Sequence, residues 1–146
     1  MKIVLATGGM DPLHSGHISY LQECKQLGDK LIVGLNSDEW LTRKKGRPFL
    51  SWIERSIIVS NLRMVDEVIS FLDDDSSAID AIKTIIETNP YDTIIFANGG
   101  DRNITNIPEM KWAAIHAPQV IFEFGVGGED KQNSSSWILN KWNESV

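Results

Sequence analysis

Short apolar runs alternate along this chain with longer segments in which apolar residues recur at helical spacing. Residues 2–7 (KIVLAT) form the first apolar run, and residues 30–35 (KLIVGL) form the second. Between them, residues 15–27 carry apolar side chains every three positions, which is typical of one face of a helix. This alternation predicts a parallel β-sheet with connecting helices.

The same pattern continues to the end of the chain. Buried strands are predicted at residues 2–7, 30–35, 65–71, 93–97 and 119–124. Helices are predicted at residues 15–27, 51–63, 73–88, 109–116 and 134–142, the third opening on the acidic run 73–75, which suits the positive end of a helix. The predicted fold class is α/β: a single Rossmann-like domain over residues 1–146, with a five-stranded parallel sheet and helices on both faces.

Four polar or glycine-rich segments follow predicted strands, some after a short helical turn. They are residues 8–17, 42–48, 98–102 and 125–136. Ligands of parallel sheets bind outside the carboxyl ends of the strands. We therefore expect the four segments to converge on one edge of the sheet and to form a single site.

Composition and charge narrow the function classes. The 146 residues are 42% hydrophobic and 23% charged, as in an average globular domain. The net charge of −6 disfavours a general nucleic-acid binder, so we expect no nucleic-acid partner. The apolar start is too short to span a membrane, which favours no membrane association and a cytoplasmic location. The single cysteine, Cys24, is predicted to be a packed thiol.

The first of the four segments carries the clearest chemical pattern. Gly8 and Gly9 directly follow the first strand and allow a ligand to approach the backbone closely. The segment matches neither G-x-G-x-x-G nor a Walker A loop. Instead, His14-x-Gly16-His17 puts two imidazoles on one side of an opening helix, where free N–H groups attract anions. The pattern predicts a phosphate site.

Two other interpretations of the histidines stay open. An i,i+3 pair could bind zinc with Asp11 as an oxygen ligand, but no third histidine or cysteine is nearby, so no metal ligand is assigned. Alternatively, His14 and His17 are helix-capping residues only. That alternative explains neither the paired glycines nor the spacing.

Residues 9–17 (GMDPLHSGH) resemble the G-x-F-D-x-x-H-x-G-H signature of the cytidylyltransferase-like nucleotidyltransferase superfamily. The similarity continues through residues 27–33, 46–48 and 65–71 and covers nearly the whole chain. These segments are most similar to heptose-1-phosphate adenylyltransferase domains, and next to glycerol-3-phosphate cytidylyltransferases.

The resemblance implies transfer of a nucleotidyl group from an NTP, ATP being favoured, to a sugar phosphate such as heptose 1-phosphate, with release of pyrophosphate. One alternative is a CTP-dependent cytidylyltransferase of glycerol 3-phosphate or another polyol phosphate. An alternative of another class is a nucleotide-binding module without turnover. The implied cofactor is Mg²⁺, held mainly by phosphates and water. The implied partners are the NTP, a phosphorylated small-molecule acceptor and a second copy in a homodimer.

The resemblance also assigns roles to individual residues. The catalytic set is His14, His17, Lys44 and Lys45. The nucleotide-binding set is Gly8, Gly9, Met10, Gly16, Gly99, Gly100, Asp101, Ser134, Ser135 and Ser136. The acceptor-binding set is Asp11, Arg47 and Arg63. Structural alternatives accompany several of these: a solvated surface for the lysines, helix capping for Ser134 or its neighbours and, for the nearby Arg55, a structural ion pair.

The chain departs from the family pattern in a few places. Met10 replaces the usual Phe, and Ser134-Ser135-Ser136 replaces Ser-Thr-Thr. Lys131 is expected to compensate for an arginine found before that segment in the glycerol-3-phosphate enzymes. Trp40 and Trp52 flank the basic segment and could stack a base, although packing is the commoner role of tryptophan. The base preference therefore stays open.

Overall fold

The computed structural model describes residues 1–99, 107–127 and 134–144, and within those ranges it contains five strands and six helices. The strands are β1 (Lys2–Gly8), β2 (Lys30–Leu35), β3 (Glu67–Ile69), β4 (Thr93–Gly99) and β5 (Ile121–Val126). The helices are α1 (Ser15–Gln26), α2 (Asp38–Lys45), α3 (Trp52–Ser60), α4 (Ile79–Thr88), α5 (Pro108–His116) and α6 (Ser135–Glu144).

The five strands form one parallel sheet in the order β3-β2-β1-β4-β5. In the centre, Val4 pairs with Leu31 on one side and with Ile95 on the other. The strand order reverses between β1 and β4, so the crevice at their carboxyl ends is the switch point where such sheets bind ligands. The predicted fold class is confirmed.

The two faces of the sheet are covered by different helices. Because side chains alternate along a strand, Ile3 and Leu5 of β1 pack with α4 and α5, whereas Val4 and Ala6 pack with α1 and α3. All four side chains are fully buried. The rigid sheet between these two apolar layers fixes the positions of the loops that leave its carboxyl edge.

Helix α2 departs from the predicted polar connection. Arg43, Lys44 and Lys45 lie in its last turn rather than in a loop. The helix begins after Ser37, whose side chain accepts the Trp40 N–H at 3.0 Å. Three cations at its C-terminal end suit the negative end of the helix dipole.

The predicted helix start at residues 73–75 is wrong, because α4 begins at Ile79. Asp73 is buried and accepts the Ser37 N–H at 2.8 Å and the Ser37 hydroxyl at 2.7 Å. Asp75 accepts the Ser77 N–H at 2.9 Å. These acids therefore stabilise the start of α2 and a local turn, which outweighs their local preference for a helix N-terminus.

Two smaller expectations have different outcomes. The third strand is shorter than the predicted range 65–71, because Asp66 precedes it and accepts the Leu31 N–H at 2.8 Å. Cys24 is fully buried, and burial raises the pKa of its thiol to about 12, so the packed-thiol prediction is confirmed. Among the described residues, no helix is both long enough and apolar enough to cross a membrane.

Candidate active site

The two histidines cap the start of α1 reciprocally. Nδ1 of His14 accepts the Gly16 N–H at 3.0 Å, and Nδ1 of His17 accepts the His14 N–H at 3.2 Å. A ring nitrogen that accepts a hydrogen bond carries no proton, so in each neutral imidazole the proton lies on Nε2. Both histidines therefore cap the helix, and in a neutral imidazole of this tautomer Nε2–H is the donor.

The environment keeps His17 neutral near pH 7. Its pKa is lowered from 6.5 to about 4, first by burial and then by the neighbouring charges of His14, Lys44 and Lys45. The two imidazole rings lie 4.0 Å apart between centroids. An imidazole that stays neutral, as His17 does here, can donate a hydrogen bond to an anion without a change of its own charge near pH 7.

The glycine segment before α1 lies under α2. An ideal Cβ on Gly9 would lie 2.9 Å from Cδ2 of Leu41, so a side chain there would clash with α2. A Cβ on Gly8 would meet only ordinary contacts, the nearest at 3.8 Å to Met10. Met10 has φ of 50°, and its side chain is buried and packs in the core. Only its main chain can therefore border the carboxyl edge of the sheet.

Asp11 is buried, and its carboxylate accepts hydrogen bonds from the main chain of this protein. Its two oxygens accept the N–H groups of Phe49 (2.6 Å) and Leu50 (2.7 Å). Lys45 lies 3.3 Å from the carboxylate and also donates to the Asp11 main-chain oxygen. These contacts join the first loop, the end of α2 and the segment before α3, whereas contact between Asp11 and an acceptor stays a prediction.

Arg55 stabilises the same junction from within. It is almost fully buried and donates to the main-chain oxygens of Gly9 (2.9 Å), Asn36 (2.8 Å) and Leu50 (3.0 Å). Its guanidinium also pairs with Asp38 at 2.8 Å. The predicted structural ion pair of Arg55 is thereby confirmed.

The other cations of the basic segment have different surroundings. Nζ of Lys44 lies 4.9 Å from the centroid of the Trp40 ring. Arg43 donates to the main-chain oxygen of Asp73 at 2.7 Å, and Arg47 is exposed. Trp52 packs against the core and donates to the Leu35 oxygen at 3.2 Å, so its observed role is packing.

The start of α6 meets the first loop. The Ser135 hydroxyl donates to the Pro12 oxygen at 2.9 Å, and Ser134 caps the helix by accepting the Trp137 N–H at 3.0 Å. Ser136 is exposed on the first turn. A second helix N-terminus therefore lies beside the start of α1, and both present N–H groups that favour anions.

Tyr20 closes the switch point from the α1 side. Its hydroxyl donates to the Ala97 oxygen at 2.6 Å, and its ring would lie 3.4 Å from a Cβ on Gly99. A Cβ on Gly127, which has φ of 86°, would lie 3.0 Å from the Tyr20 backbone. A cavity of about 170 Å³ lies here, lined by Thr7, Tyr20, Ala97, Asn98 and Gly99.

The described parts of the four predicted segments thus meet at the carboxyl edge of the sheet. Arg63 does not lie at this edge. It is exposed in the turn between α3 and β3, three residues before Asp66, which contacts the start of β2. That position is at the amino edge of the sheet, so the assignment of Arg63 to this site within one chain is wrong. Gly100, Asp101 and Lys131 lie outside the described residues.

Sequence reasoning missed two residues of this edge. Tyr20 is absent from the predicted site residues, and Asn98 lies in the predicted segment 98–102 without a role of its own. A polar residue directly after the apolar run 94–97 was the available signal for Asn98. Within residues 1–99, 107–127 and 134–144, no group of three or more histidine, cysteine, aspartate or glutamate side chains could hold a metal.

This sheet order defines a Rossmann-like fold, with paired imidazoles at a helix start beside the switch point. A family model described as Cytidylyltransferase-like matches residues 5–137. The chain belongs to the cytidylyltransferase-like family, and the resemblance inferred from its sequence is confirmed.

Individual relatives agree with this assignment. The bifunctional protein HldE of Blochmanniella floridana is 44% identical over 108 residues, which are 73% of this chain and 21% of that protein. HldE of Helicobacter pylori strain P12 is 51% identical over 75 residues, which are 50% of this chain and 16% of that protein. The chain therefore spans a small part of the length of these curated relatives.

Two solved structures share the fold. The lipopolysaccharide core biosynthesis protein from Thermoplasma volcanium GSS1 is 30% identical, with a TM-score of 0.65 over 86% of this chain and 94% of that chain. A structure from Vibrio parahaemolyticus is 15% identical, with a TM-score of 0.68 over 99% of this chain and 88% of that chain. The second likeness concerns the fold alone.

Proposed function

We propose that this chain transfers a nucleotidyl group from an NTP, ATP being favoured, to a sugar phosphate such as heptose 1-phosphate and releases pyrophosphate. The observation that carries the proposal is the reciprocal capping by His14 and His17, which fixes both imidazoles at the start of α1 beside the switch point. The start of α6, linked to the first loop by Ser135 and Pro12, adds a second anion-favouring group.

The proposed reaction needs no covalent enzyme intermediate. An oxygen of the acceptor phosphate attacks the α-phosphorus, the bond from that phosphorus to the β-phosphate oxygen breaks, and pyrophosphate leaves with the bonding electrons. An acceptor phosphate is largely ionised near pH 7, so no strong general base is required. The imidazole N–H groups of His14 and His17, together with Lys44 and Lys45, would stabilise negative charge on the phosphates.

Mg²⁺ fits this site as a component of the nucleotide complex. Both oxygens of Asp11 accept main-chain N–H groups, so this buried carboxylate is a poor ligand for a cation. Triphosphate oxygens and water would therefore hold the ion, as Mg²⁺ commonly prefers. When bound, it would neutralise part of the triphosphate charge.

The choice of acceptor rests on the relatives. Identity of 41–51% to HldE, with its heptose 1-phosphate adenylyltransferase domain, favours ATP and a phosphosugar. A cytoplasmic location stays a prediction.

The decisive experiment is a pyrophosphate-release screen that crosses the four NTPs with heptose, hexose and glycerol phosphates. Release with ATP and heptose 1-phosphate supports the proposal. Release with CTP and glycerol 3-phosphate contradicts it in favour of the polyol enzyme. Tight NTP binding without release for any acceptor contradicts the enzyme proposal and favours a nucleotide-binding module.

We also propose that the chain forms a homodimer through α3. Ile53 and Ile57 lie one turn apart and are exposed together with Phe49, an apolar strip that a second copy could bury. Light scattering should give twice the chain mass, and Ile57→Glu should halve it. Ile115→Glu, at an exposed position on α5, is the control; a monomeric wild-type protein contradicts the proposal.

A further inference from the structure

The turn of α1 that follows the histidines contacts the ends of two strands. Tyr20 comes three residues after His17, so the two side chains lie on the same side of the helix. The Tyr20 hydroxyl donates to the main-chain oxygen of Ala97 in β4 at 2.6 Å. Three residues further on, the Glu23 carboxylate accepts the N–H of Gly127, directly after β5, at 2.8 Å. The helix that carries the paired imidazoles is therefore hydrogen-bonded to both strand ends.

The Tyr20 hydroxyl contacts β4 where pairing within the sheet becomes irregular. The pairing of β4 with β1 runs to Phe96, one residue before Ala97. The pairing of β4 with β5 shifts register between Ala97 and Gly99. Main-chain groups at such irregularities leave the regular ladder, so their positions depend on other partners. The hydrogen bond from α1 supplies one of these partners.

Two glycines let both strand ends pack closely on Tyr20. A Cβ on Gly99 would lie 3.4 Å from the Tyr20 ring, and a Cβ on Gly127 would lie 3.0 Å from the Tyr20 Cα. Gly127 also has φ of 86°, which disfavours any side chain. Contacts as close as these leave α1 little freedom to move relative to the strand ends. The predicted segments 98–102 and 125–136 adjoin the same ends.

We propose that Tyr20 is a positioning residue for nucleotidyl transfer: its hydroxyl fixes α1, and with it the imidazole of His17, relative to the ends of β4 and β5. The inference rests on the proposed function and requires no contact between Tyr20 and a substrate. A hydrogen-bond donor stabilises a transition state only where it is correctly placed, and a misplacement of about 1 Å can cost about 100-fold in rate. A shift of α1 against the strands would move the donor away from the developing charge.

Tyr20→Phe tests the proposal because it removes the hydroxyl and keeps the ring that packs beside Gly99. We expect kcat for pyrophosphate release to fall about tenfold and the KM for NTP to stay nearly unchanged, because the donor acts mainly in the transition state. Tyr91→Phe is the matched control. Tyr91 is the only other tyrosine of the chain and is 98% exposed, so loss of its hydroxyl should leave kcat unchanged. Circular dichroism and thermal unfolding check that both variants are folded.

Combination with His17→Ala separates positioning from a general structural role. If Tyr20 acts through His17, its hydroxyl contributes nothing once the imidazole is gone, so the double variant should turn over at the rate of His17→Ala alone. Single-turnover measurements with excess enzyme resolve these slow rates. A general structural role would instead repeat the tenfold loss in both backgrounds.

Histidine NMR gives a readout that does not depend on turnover. The chain contains three histidines, and His116, which is exposed on α5, serves as the internal reference. Binding of ATP to the wild-type protein should shift the imidazole signals of His14 and His17, and Tyr20→Phe should reduce these shifts while ATP still binds. Equal shifts in the two proteins would overturn the inference.

The outcomes separate this inference from the proposed function. A loss of kcat that occurs in the wild-type background and is absent in the His17→Ala background supports the positioning role of Tyr20. An unchanged kcat in Tyr20→Phe, or an equal loss in both backgrounds, overturns it. Absence of pyrophosphate release by the wild-type protein with every acceptor overturns the proposed function, and the NMR comparison then decides whether Tyr20 positions the imidazoles.

Discussion

The start of α1 and the end of α2 both present phosphate-competent groups to the same edge, but they are built differently. At α1, His14 and His17 are fixed by hydrogen bonds to main chain within four residues of sequence. At α2, Lys45 reaches Asp11 in a distant part of the chain, whereas its neighbour Lys44 lies over Trp40. One region is fixed locally, the other by tertiary contacts.

This difference shows that the α2 part of the site depends on the rest of the fold more than the α1 part does. A capped helix start presents donors whose direction is set before a ligand arrives, which is the condition for strong transition-state stabilisation. The α2 cations act through charge, and their positions depend on Asp11 and on the start of α2 at Ser37. Substitutions in the two regions should therefore change different quantities.

The largest effect is expected from His17→Ala. Loss of a donor aimed at developing phosphate charge should lower kcat about 100-fold or more, because such donors act mainly in the transition state. Turnover is measured by pyrophosphate release, and circular dichroism checks that the variant is folded. His116→Ala, at an exposed position on α5, is the control; wild-type turnover in His17→Ala would overturn the role assigned to the imidazole.

Lys45→Met should have the next largest effect and should change two quantities. The side chain keeps its apolar length but loses the ammonium group beside the buried Asp11, so unfolding should cost about 1–3 kcal/mol less. We expect kcat/KM to fall about tenfold, because the loop before α1 loses a positioning contact and the site loses a charge. Thermal unfolding and steady-state kinetics measure the two changes.

The exposed Lys111 on α5 provides a matched control, since Lys111→Met should change neither quantity. Lowered kcat/KM with unchanged stability would contradict the structural part of this prediction. Lowered stability with unchanged kcat/KM would contradict the catalytic part.

The sequence predicted the regions that follow local rules. Apolar runs such as residues 93–97 predicted strands, and the spacing of His14 and His17 predicted that both lie at a helix start. Both predictions were possible because strand burial and helix capping depend on near neighbours in the sequence. Helix α2 was missed because it buries only Leu41 and begins at a cap whose partner, Asp73, is 36 residues away. The apolar pattern of this helix is therefore too weak to predict the helix from residues 38–45 alone.

The same reasoning explains the remaining errors. Asp73 was assigned to the nearest helix start, although its partners lie in another part of the chain. Arg63 followed from family resemblance, which carries no information about the edge of the sheet on which a turn lies. Asn98 had no role of its own within the predicted segment 98–102, because its burial depends on the pairing of β4 with β5.

A third prediction concerns pH and His17. Its pKa is lowered from 6.5 to about 4 in the folded chain, so between these values the unfolded chain binds the extra proton. The free energy of unfolding should therefore rise with pH from about 4 to 6.5, by up to ~1.4 kcal/mol per pH unit from this group, and level off above. Denaturant unfolding across this range measures the slope.

His17→Gln isolates this contribution because it removes the titrating group, and His116→Gln is the matched control. The difference in unfolding free energy between wild type and His17→Gln should change with pH below about 6.5 and stay constant above it. Parallel curves for the two proteins would contradict the lowered pKa of His17.

The smallest effect is expected from Lys44→Met. Lys44 is exposed over Trp40, and such a cation contributes at most about 1 kcal/mol, so stability should stay nearly unchanged and the KM for NTP should rise only a few-fold. Because exposed charges are screened, higher ionic strength should weaken this effect and spare much of the effect of Lys45→Met. Equal salt dependence in the two variants would contradict the distinction between Lys45, which contacts the buried Asp11, and Lys44, which is exposed over Trp40.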